Sequence, residues 1–160
     1  MLQPETLRAR ACPTPIGTFG LIGSSRGLRE LSWSCDGLDL DGSCDVLDKA
    51  AQQLSEYFDG SRTSFSVPLD LIGTSFQLQA WHALTDIPYG TTVSYADQAR
   101  RIGRPTAIRA VGAANGRNPV AIFLPCHRII GSDGSLTGFG GGLERKRYLL
   151  EHEAAQLRMF

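Results

Sequence analysis

The stretch Asn118-Pro119-Val120-Ala121-Ile122-Phe123-Leu124-Pro125-Cys126-His127-Arg128-Ile129-Ile130 places a cysteine directly after a short apolar run. The Asn-Pro pair predicts a turn, and the five residues Val120–Leu124 have the length and composition of one buried strand. Pro125 then interrupts backbone hydrogen bonding, so the cysteine stands at the end of a rigid element. A neighbouring base or cation lowers the pKa of a thiol, and the thiolate is the nucleophile. The adjacent histidine and arginine therefore favour a reactive Cys126 over an inert buried one.

Length and composition predict a globular protein. A chain of 160 residues with 42% hydrophobic residues can hold one ordinary domain or two small ones. No apolar run is long enough for a membrane span, and the first residues lack the pattern of a signal peptide, so we expect a cytoplasmic monomer without an obligate protein partner. The four cysteines contain no CxxC pair, and therefore we expect no metal, no cofactor and no disulfide framework.

The net charge of zero conceals an asymmetry between the two halves of the chain. Residues 1–72 carry six basic and ten acidic side chains, a net charge of −4, whereas residues 73–160 carry ten and six, a net charge of +4. Between Asp97 and Arg128, six arginines accompany a single acid. This cluster is consistent with a polyanion site or, equally, with solvated helix faces.

The first half of the chain predicts a small antiparallel sheet with one helix. Residues 13–33 alternate between apolar pairs and turn signals, which indicates two or three short strands. Apolar residues recur at helical spacing from Val46 to Phe58, and Asp59-Gly60 ends that helix. Alternating apolar residues from Phe65 to Leu71 predict one more strand. We place a domain boundary near Ile72-Gly73, giving domains 1–72 and 73–160.

The second half predicts helices with recognisable caps. Thr74 or Ser75 caps a helix from Phe76 to about Leu84, and Ser94 with Asp97 has the spacing of a capping box for a helix that ends at Ile102. Pro105 suits the first turn of the next helix, Thr106 to Asn115, with Gly116 following it. Two short helices joined by a glycine-containing turn indicate a helix-turn-helix.

The second of these helices has an unusual surface. Five of its residues are alanine or glycine, and Arg109 is its one long side chain. A thin helix of this kind could enter the minor groove of DNA, or it could pack closely against a neighbouring helix. The two arrangements can hold on opposite faces.

With these motifs the sequence resembles the O6-alkylguanine-DNA alkyltransferase family. The resemblance covers residues 73–160 and, weakly, the pattern before them. It rests on Ile87-Pro88-Tyr89-Gly90, Ser94-Tyr95, Arg109-Ala110-Val111-Gly112, Asn118-Pro119, Pro125-Cys126-His127-Arg128 and Gly140-Gly141-Gly142-Leu143. It implies an α+β chain, in which a small N-terminal antiparallel sheet with a helix, ribonuclease H-like in the family, precedes a mostly helical, winged-helix-like domain with the helix-turn-helix.

The resemblance also implies a reaction and its residues. Members of the family repair double-stranded DNA by transferring an alkyl group once from O6-alkylguanine to a cysteine, which corresponds to Cys126 here. O4-alkylthymine is left open as a further substrate. His127 is the implied base, coupled to the thiol through a water, and Glu153, at the end of a helix from Leu143, orients it. We expect the charge of Glu153 to favour a cationic His127 and a thiolate at Cys126. Asn118 lies beside the cysteine, and Tyr95 donates a proton toward the departing guanine.

The remaining site residues are assigned in the same way. Arg109 fills the space left by the flipped nucleotide. The other residues expected to contact DNA are Thr91, Ser94, Ala107, Ala110, Asn115 and Arg128. The pocket for the base is expected to contain Tyr95, Ala121, Ile129, Phe139 and Gly140. Gly140 stands where many members carry a hydroxyl residue, which removes one hydrogen bond to the base.

Two other functions are compatible with parts of this pattern. A damage sensor would bind DNA and transfer nothing, although relatives of that type lack the cysteine. A cysteine hydrolase would use Cys126, His127 and Asn118 and would turn over esters or peptides.

Overall fold

The computed structural model describes residues 6–40 and 42–158 of the chain. It forms two compact units that divide between Ile72 and Gly73. Within the described ranges, no helix is both long and apolar enough to cross a bilayer, and no three potential metal ligands come together.

The first unit is built on a three-stranded antiparallel sheet. Strands β1 (Arg8–Thr14), β2 (Gly17–Ser24) and β3 (Gly27–Ser32) follow one another in space as in sequence. Tight turns join them, and the register shifts once between Ile22 and Gly23. The sheet predicted over residues 13–33 is therefore present, but its first strand begins earlier, at Arg8. The apolar positions of this segment are the small residues Ala9 and Ala11, which give only a weak strand signal.

Helix α1 (Asp45–Asp59) covers this sheet. Its apolar side, which includes Leu47, Leu54 and Tyr57, is fully buried with Phe19 and Leu21 of the sheet. Gly60 ends the helix at φ 89°, in the left-handed region that glycine adopts readily, as predicted from its position after Asp59.

The strand predicted from Phe65 to Leu71 does not form. This segment makes a single parallel bridge between Leu28 and Leu69, through Leu28 N–H to Pro68 O at 2.8 Å and Asp70 N–H to Leu28 O at 2.9 Å. Pro68 has no N–H, so the ladder cannot extend through it. Alternating apolar residues here mark an extended segment rather than a strand.

The second unit is mostly helical, and two of its helices begin at their predicted caps. Helix α2 (Ser75–Leu84) is capped by Thr74, and helix α3 (Tyr95–Arg101) is capped by Ser94, each with a complete capping box. Helix α4 (Ile108–Gly116) starts two residues later than predicted, because residues 104–107 form a turn closed by Ala107 N–H to Arg104 O at 2.9 Å. Gly116 is the last helical residue rather than the residue after the helix.

Three further elements complete this unit. Strands β4 (Val93–Ser94) and β5 (Ile129–Ile130) form a short parallel pair, which the sequence did not predict. Helix α5 (Leu143–Leu157) continues past Glu153 by four residues. Helices α2, α3 and α4 pack together, and Trp81 Nε1 on α2 donates to Ala114 O on α4 at 2.8 Å.

Candidate active site

The apolar run before Cys126 is a buried loop, not the predicted strand. Ile122 adopts φ 77°, and Leu124 N–H donates to Val120 O at 3.0 Å, so the chain turns back on itself. Every residue from Val120 to Ile129 is buried. The run was long and apolar enough for a strand. However, the chain bends at Pro119 and again at Ile122, so the segment forms an isolated bridge between Ala121 and Leu124 and no strand.

Asn118 holds this loop closed. Its side-chain Nδ2 donates to Leu124 O at 2.8 Å, and its Oδ1 accepts from Val120 N–H at 3.0 Å. The same side chain acts on Cys126, whose pKa it lowers. Asn118 therefore shapes the loop that leads to the thiol.

Cys126 opens a single 3₁₀ turn, Cys126–Arg128, and its side chain is buried. Burial raises the pKa of the Cys126 thiol to about 11, although Asn118 and the nearby cation of Lys146 act in the opposite direction. The expected depressed pKa is thus not found in the resting protein. Desolvation of the thiolate outweighs the charges around it, and the group rests as a thiol.

His127 is fully buried and is held by Glu153, whose Oε2 lies 2.6 Å from Nε2. Burial opposes ionisation of Glu153, but His127 and Arg128 outweigh that effect and hold the pKa of this carboxyl far below its usual range. An ionised carboxylate only accepts hydrogen bonds, which assigns the proton of a neutral imidazole to Nε2. Nδ1, which makes no hydrogen bond within the described chain, then carries a free lone pair.

Glu153 favours a cationic His127, as the sequence led us to expect, but the net effect of the surroundings favours the neutral imidazole. Burial lowers the pKa of His127, and this exceeds the upward effect of Glu153 because Arg128 and Lys146 also oppose a positive imidazole.

Arg128 was expected to contact DNA, but the structure buries its side chain in an ion pair. Its Nε and Nη2 donate to Glu153 at 2.9 and 3.1 Å, its Nη1 donates to Ile87 O at 2.7 Å, and its guanidinium lies over the ring of Tyr89. The side chain is 5% exposed. The partner that buries it is 25 residues away, so the local sequence gave no sign of this ion pair.

Lys146 is a site residue that sequence reasoning missed. It is fully buried, its Nζ donates to Thr137 O at 2.9 Å, and it lies over the ring of Tyr95. Burial lowers the pKa of Lys146, while the neighbouring Cys126 raises it. The available signal was its spacing: on the otherwise polar helix α5, Lys146, Leu149 and Glu153 share one face and are the buried residues.

A groove of about 530 Å³ adjoins this cluster. It is bounded by one face of α4 and by the glycine-rich loop, and it includes three of the five predicted pocket residues, Tyr95, Phe139 and Gly140. Tyr95 Oη donates to Thr137 O at 3.1 Å at its edge. The other two predictions do not line it: Ala121 lies in the buried loop, and Ile129 is fully buried in β5.

The residues expected to meet DNA fall into three groups. Thr91, Arg109 and Ala110 are exposed, and Arg109 makes no hydrogen bond or ion pair with residues 6–40 or 42–158. Ser94 and Ala107 are half-buried at the starts of α3 and α4. Asn115 is buried and exchanges two hydrogen bonds with Gln98, at 2.7 and 3.0 Å, so it joins two helices and cannot reach a groove.

Comparison with known proteins places this site in a family. The model of the 6-O-methylguanine DNA methyltransferase DNA-binding domain matches residues 75–155, and that of the ribonuclease-like domain of the same enzymes matches residues 7–71. The chain belongs to the 6-O-methylguanine DNA methyltransferase family. All the residues of the site described above lie within the first of these matches.

Members of the 6-O-methylguanine DNA methyltransferase family align with almost the whole chain. The methylated-DNA–protein-cysteine methyltransferase of Mycobacterium bovis is 46% identical over 159 residues, 92% of each chain, and that of Methanosarcina barkeri is 45% identical over 91% of this chain and 96% of its own.

Solved structures of the family show the same fold. The Mycobacterium tuberculosis O6-methylguanine methyltransferase superposes with a TM-score of 0.85 at 44% identity over 94% of both chains. The crystal structure of the M. tuberculosis OGT in complex with DNA gives 0.84 at 46% identity, over 93% of this chain and 94% of that one. The α+β fold class expected from the sequence is confirmed.

Proposed function

We propose that this protein is a methylated-DNA–protein-cysteine methyltransferase, which repairs double-stranded DNA by taking the alkyl group of O6-alkylguanine onto Cys126. One observation carries the assignment of the site. A buried thiol is followed directly in the chain by a buried imidazole–carboxylate pair, and Lys146, whose charge acts on the thiol, donates to Thr137 at a base-sized groove on a helix-turn-helix. The named relatives carry out this methyl transfer, and a relative of the same fold was solved with DNA.

The chemistry follows from the resting protonation states. Because the thiol is protonated and His127 Nδ1 is unprotonated, a proton passes from Cys126 to His127, through a solvent molecule, as the thiolate forms. The sulfur attacks the alkyl carbon, the carbon–oxygen bond breaks, and its electron pair stays on guanine. Tyr95 at the groove edge protonates the departing guanine and later recovers a proton from His127 through solvent.

The reaction happens once in each molecule. The product is a thioether, which offers no leaving group. The other three cysteines, Cys12, Cys35 and Cys44, all belong to the first unit, so residues 73–160 contain no second thiol to resolve it. The four cysteines are free thiols, which suits a cytoplasmic protein in the reducing compartment that contains its substrate.

DNA binding is assigned to the exposed side of α3 and α4. Helix α4 presents Ala110 and Arg109 to solvent, and its small side chains suit entry into the minor groove. Arg109 replaces the flipped nucleotide in the stack, since its planar guanidinium can stack between bases. The groove beside Tyr95 and Phe139 has room for one flipped base with its alkyl group, whether O6-alkylguanine or O4-alkylthymine.

The test is transfer from a duplex oligonucleotide that carries one O6-[³H-methyl]guanine. Wild-type protein should take up one label per molecule and then stop. Cys126→Ser should bind the duplex in a gel-shift assay and take up none, while Cys35→Ser serves as the matched control and should behave as wild type. A protein that binds the duplex without becoming labelled would be a damage sensor, and continued turnover of a p-nitrophenyl ester would show a hydrolase; either result would refute the proposal.

A further inference from the structure

The carboxylate of Glu153 receives four N–H donors. Oε1 accepts from Arg128 Nε and from Gly90 N–H, both at 2.9 Å. Oε2 accepts from His127 Nε2 at 2.6 Å and from Arg128 Nη2 at 3.1 Å. Each oxygen therefore has both of its lone pairs occupied, and the plane of the carboxylate is fixed.

The turn Ile87–Gly90 holds the other side of this ion pair. Ile87 O accepts from Arg128 Nη1 at 2.7 Å, the ring of Tyr89 lies 5.6 Å from the guanidinium carbon, and Gly90 N–H reaches Glu153. Gly90 adopts φ 77°, and a Cβ there would lie 2.1 Å from a methyl carbon of Leu157. A glycine is needed for the backbone to come this close to α5.

We propose that Arg128 is a positioning residue of the transfer reaction, which together with the turn Ile87–Gly90 fixes Glu153 and offsets its charge, so that Glu153 orients His127 without converting it into a cation. This inference rests on the proposed function, since it describes how the base of that reaction is kept available. It gives a role to the last residue of the Pro-Cys-His-Arg motif that is independent of DNA.

The charges around His127 explain why the negative charge of Glu153 has to be offset. Glu153 and Lys146 face the imidazole from α5, Cys126 and Arg128 flank it on its own turn, and Tyr89 lies behind Arg128. Glu153 is the one anion in this group and favours a positive imidazole, whereas Arg128 opposes it. Without Arg128, the buried anion would draw a proton onto His127, and the base would be lost near neutral pH.

The experiment compares Arg128→Met with Arg128→Lys in methyl transfer at pH 5 to 9. The rate depends on neutral His127 and so falls as the pH drops through its pKa. In Arg128→Met this acid limb should move upward by about one pH unit or more, the size of shift that a close charge produces, and at a pH well below the limb the rate should fall about tenfold. Arg128→Lys keeps the charge and loses the paired hydrogen bonds, so it should slow transfer while the acid limb stays at its original pH.

Arg26→Met, in the β2–β3 turn, is the control for the substitution and should leave the pH–rate profile of methyl transfer unchanged.

A second measurement does not depend on the variants folding. The ¹⁵N chemical shifts of His127 in the wild-type protein should report a neutral imidazole protonated at Nε2 at pH 7. A cationic His127 there, or an acid limb in folded Arg128→Met that does not move, would overturn the inference. If wild-type protein transfers no methyl group, the proposed function fails, and comparing the titration of His127 in wild type and folded Arg128→Met still shows whether Arg128 keeps the imidazole neutral.

Discussion

The arginines of the second unit lie in different environments, although they form one basic cluster in the sequence. Arg128 is buried against Glu153, Arg100 pairs with Asp97, and Arg104 lies over the ring of Phe76. Arg109 is exposed on a helix of small residues. Unlike these three, it has both the length and the freedom to enter a base stack.

Arg109→Ala should therefore slow repair of methylated duplex DNA by a factor of ten or more. Extruding a base costs a few kcal/mol, and an inserted side chain offsets part of that cost. The same variant should react almost normally with free O6-alkylguanine, which requires no flipping. Single-turnover rates on the two substrates, beside those of Arg26→Ala, separate the two roles. An equal fall in both rates would mean that Arg109 supports the fold or the pocket.

The nucleophile and its partners could be named from sequence, but their protonation states could not. His127 pairs with Glu153, and Asn118 closes the loop that leads to Cys126. Burial determined the rest: it raises the pKa of Cys126 and lowers that of His127, reversing the charges expected from neighbouring residue types. Asn115 was misplaced for a similar reason, because its partner Gln98 lies on another helix and no local pattern shows the pairing.

Among the elements, α2 and α3 begin directly after their predicted caps, Thr74 and Ser94. Helix α1 follows its predicted apolar periodicity, although no side chain caps its start. The apolar run Val120–Leu124 carries no such signal, and apolar length alone does not distinguish a strand from a buried loop. Its fold depends on the amide of Asn118, which replaces the hydrogen bonds that a neighbouring strand would have supplied.

The turn before β4 should be sensitive to a single added methyl group. Gly90→Ala forces a non-glycine residue into the left-handed region and also brings its Cβ against Leu157. Gly134 has φ 86° with nothing within 4 Å of an added Cβ, so Gly134→Ala is the matched control for backbone strain. We expect the control to lose about 1 kcal/mol and Gly90→Ala to lose clearly more, in urea unfolding followed by Trp81 fluorescence.

Combining Gly90→Ala with Leu157→Ala should restore part of the lost stability, because it removes the atoms that the new Cβ meets. Equal losses in the two glycine variants would show that the turn does not need its close approach to α5.

Across the whole molecule, charge separates the two units. Residues 1–72 carry a net charge of −4 and residues 73–160 a net charge of +4, and in the second unit Arg100, Arg101, Arg104, Arg109 and Arg117 are exposed. The division of the chain, the sheet-and-helix first unit and the helical second unit could all be expected from the sequence. The short pair β4–β5 could not, because two residues form no pattern and their partners are 36 residues apart.

DNA binding should consequently depend strongly on salt and weakly on sequence. Each phosphate neutralised by an arginine contributes about 0.9 to the slope of log K against log salt concentration. Fluorescence anisotropy with unmodified duplexes of different sequence, between about 50 and 200 mM salt, should give a slope of several units. Arg117→Gln should reduce that slope by about one unit if it meets a phosphate. A flat salt dependence would mean that these arginines serve the fold.

The central claim is that Cys126 itself receives the alkyl group, and peptide mass spectrometry tests it most directly. The protein is incubated with excess O6-methylguanine duplex and digested with trypsin, which releases the peptide Asn118–Arg128. We expect this peptide to gain the mass of one CH₂ and its fragmentation to place the methyl group on Cys126. The modified fraction should reach completion at one methyl per molecule. A methyl group on any other residue, or an unmodified peptide after the DNA has been repaired, would contradict it.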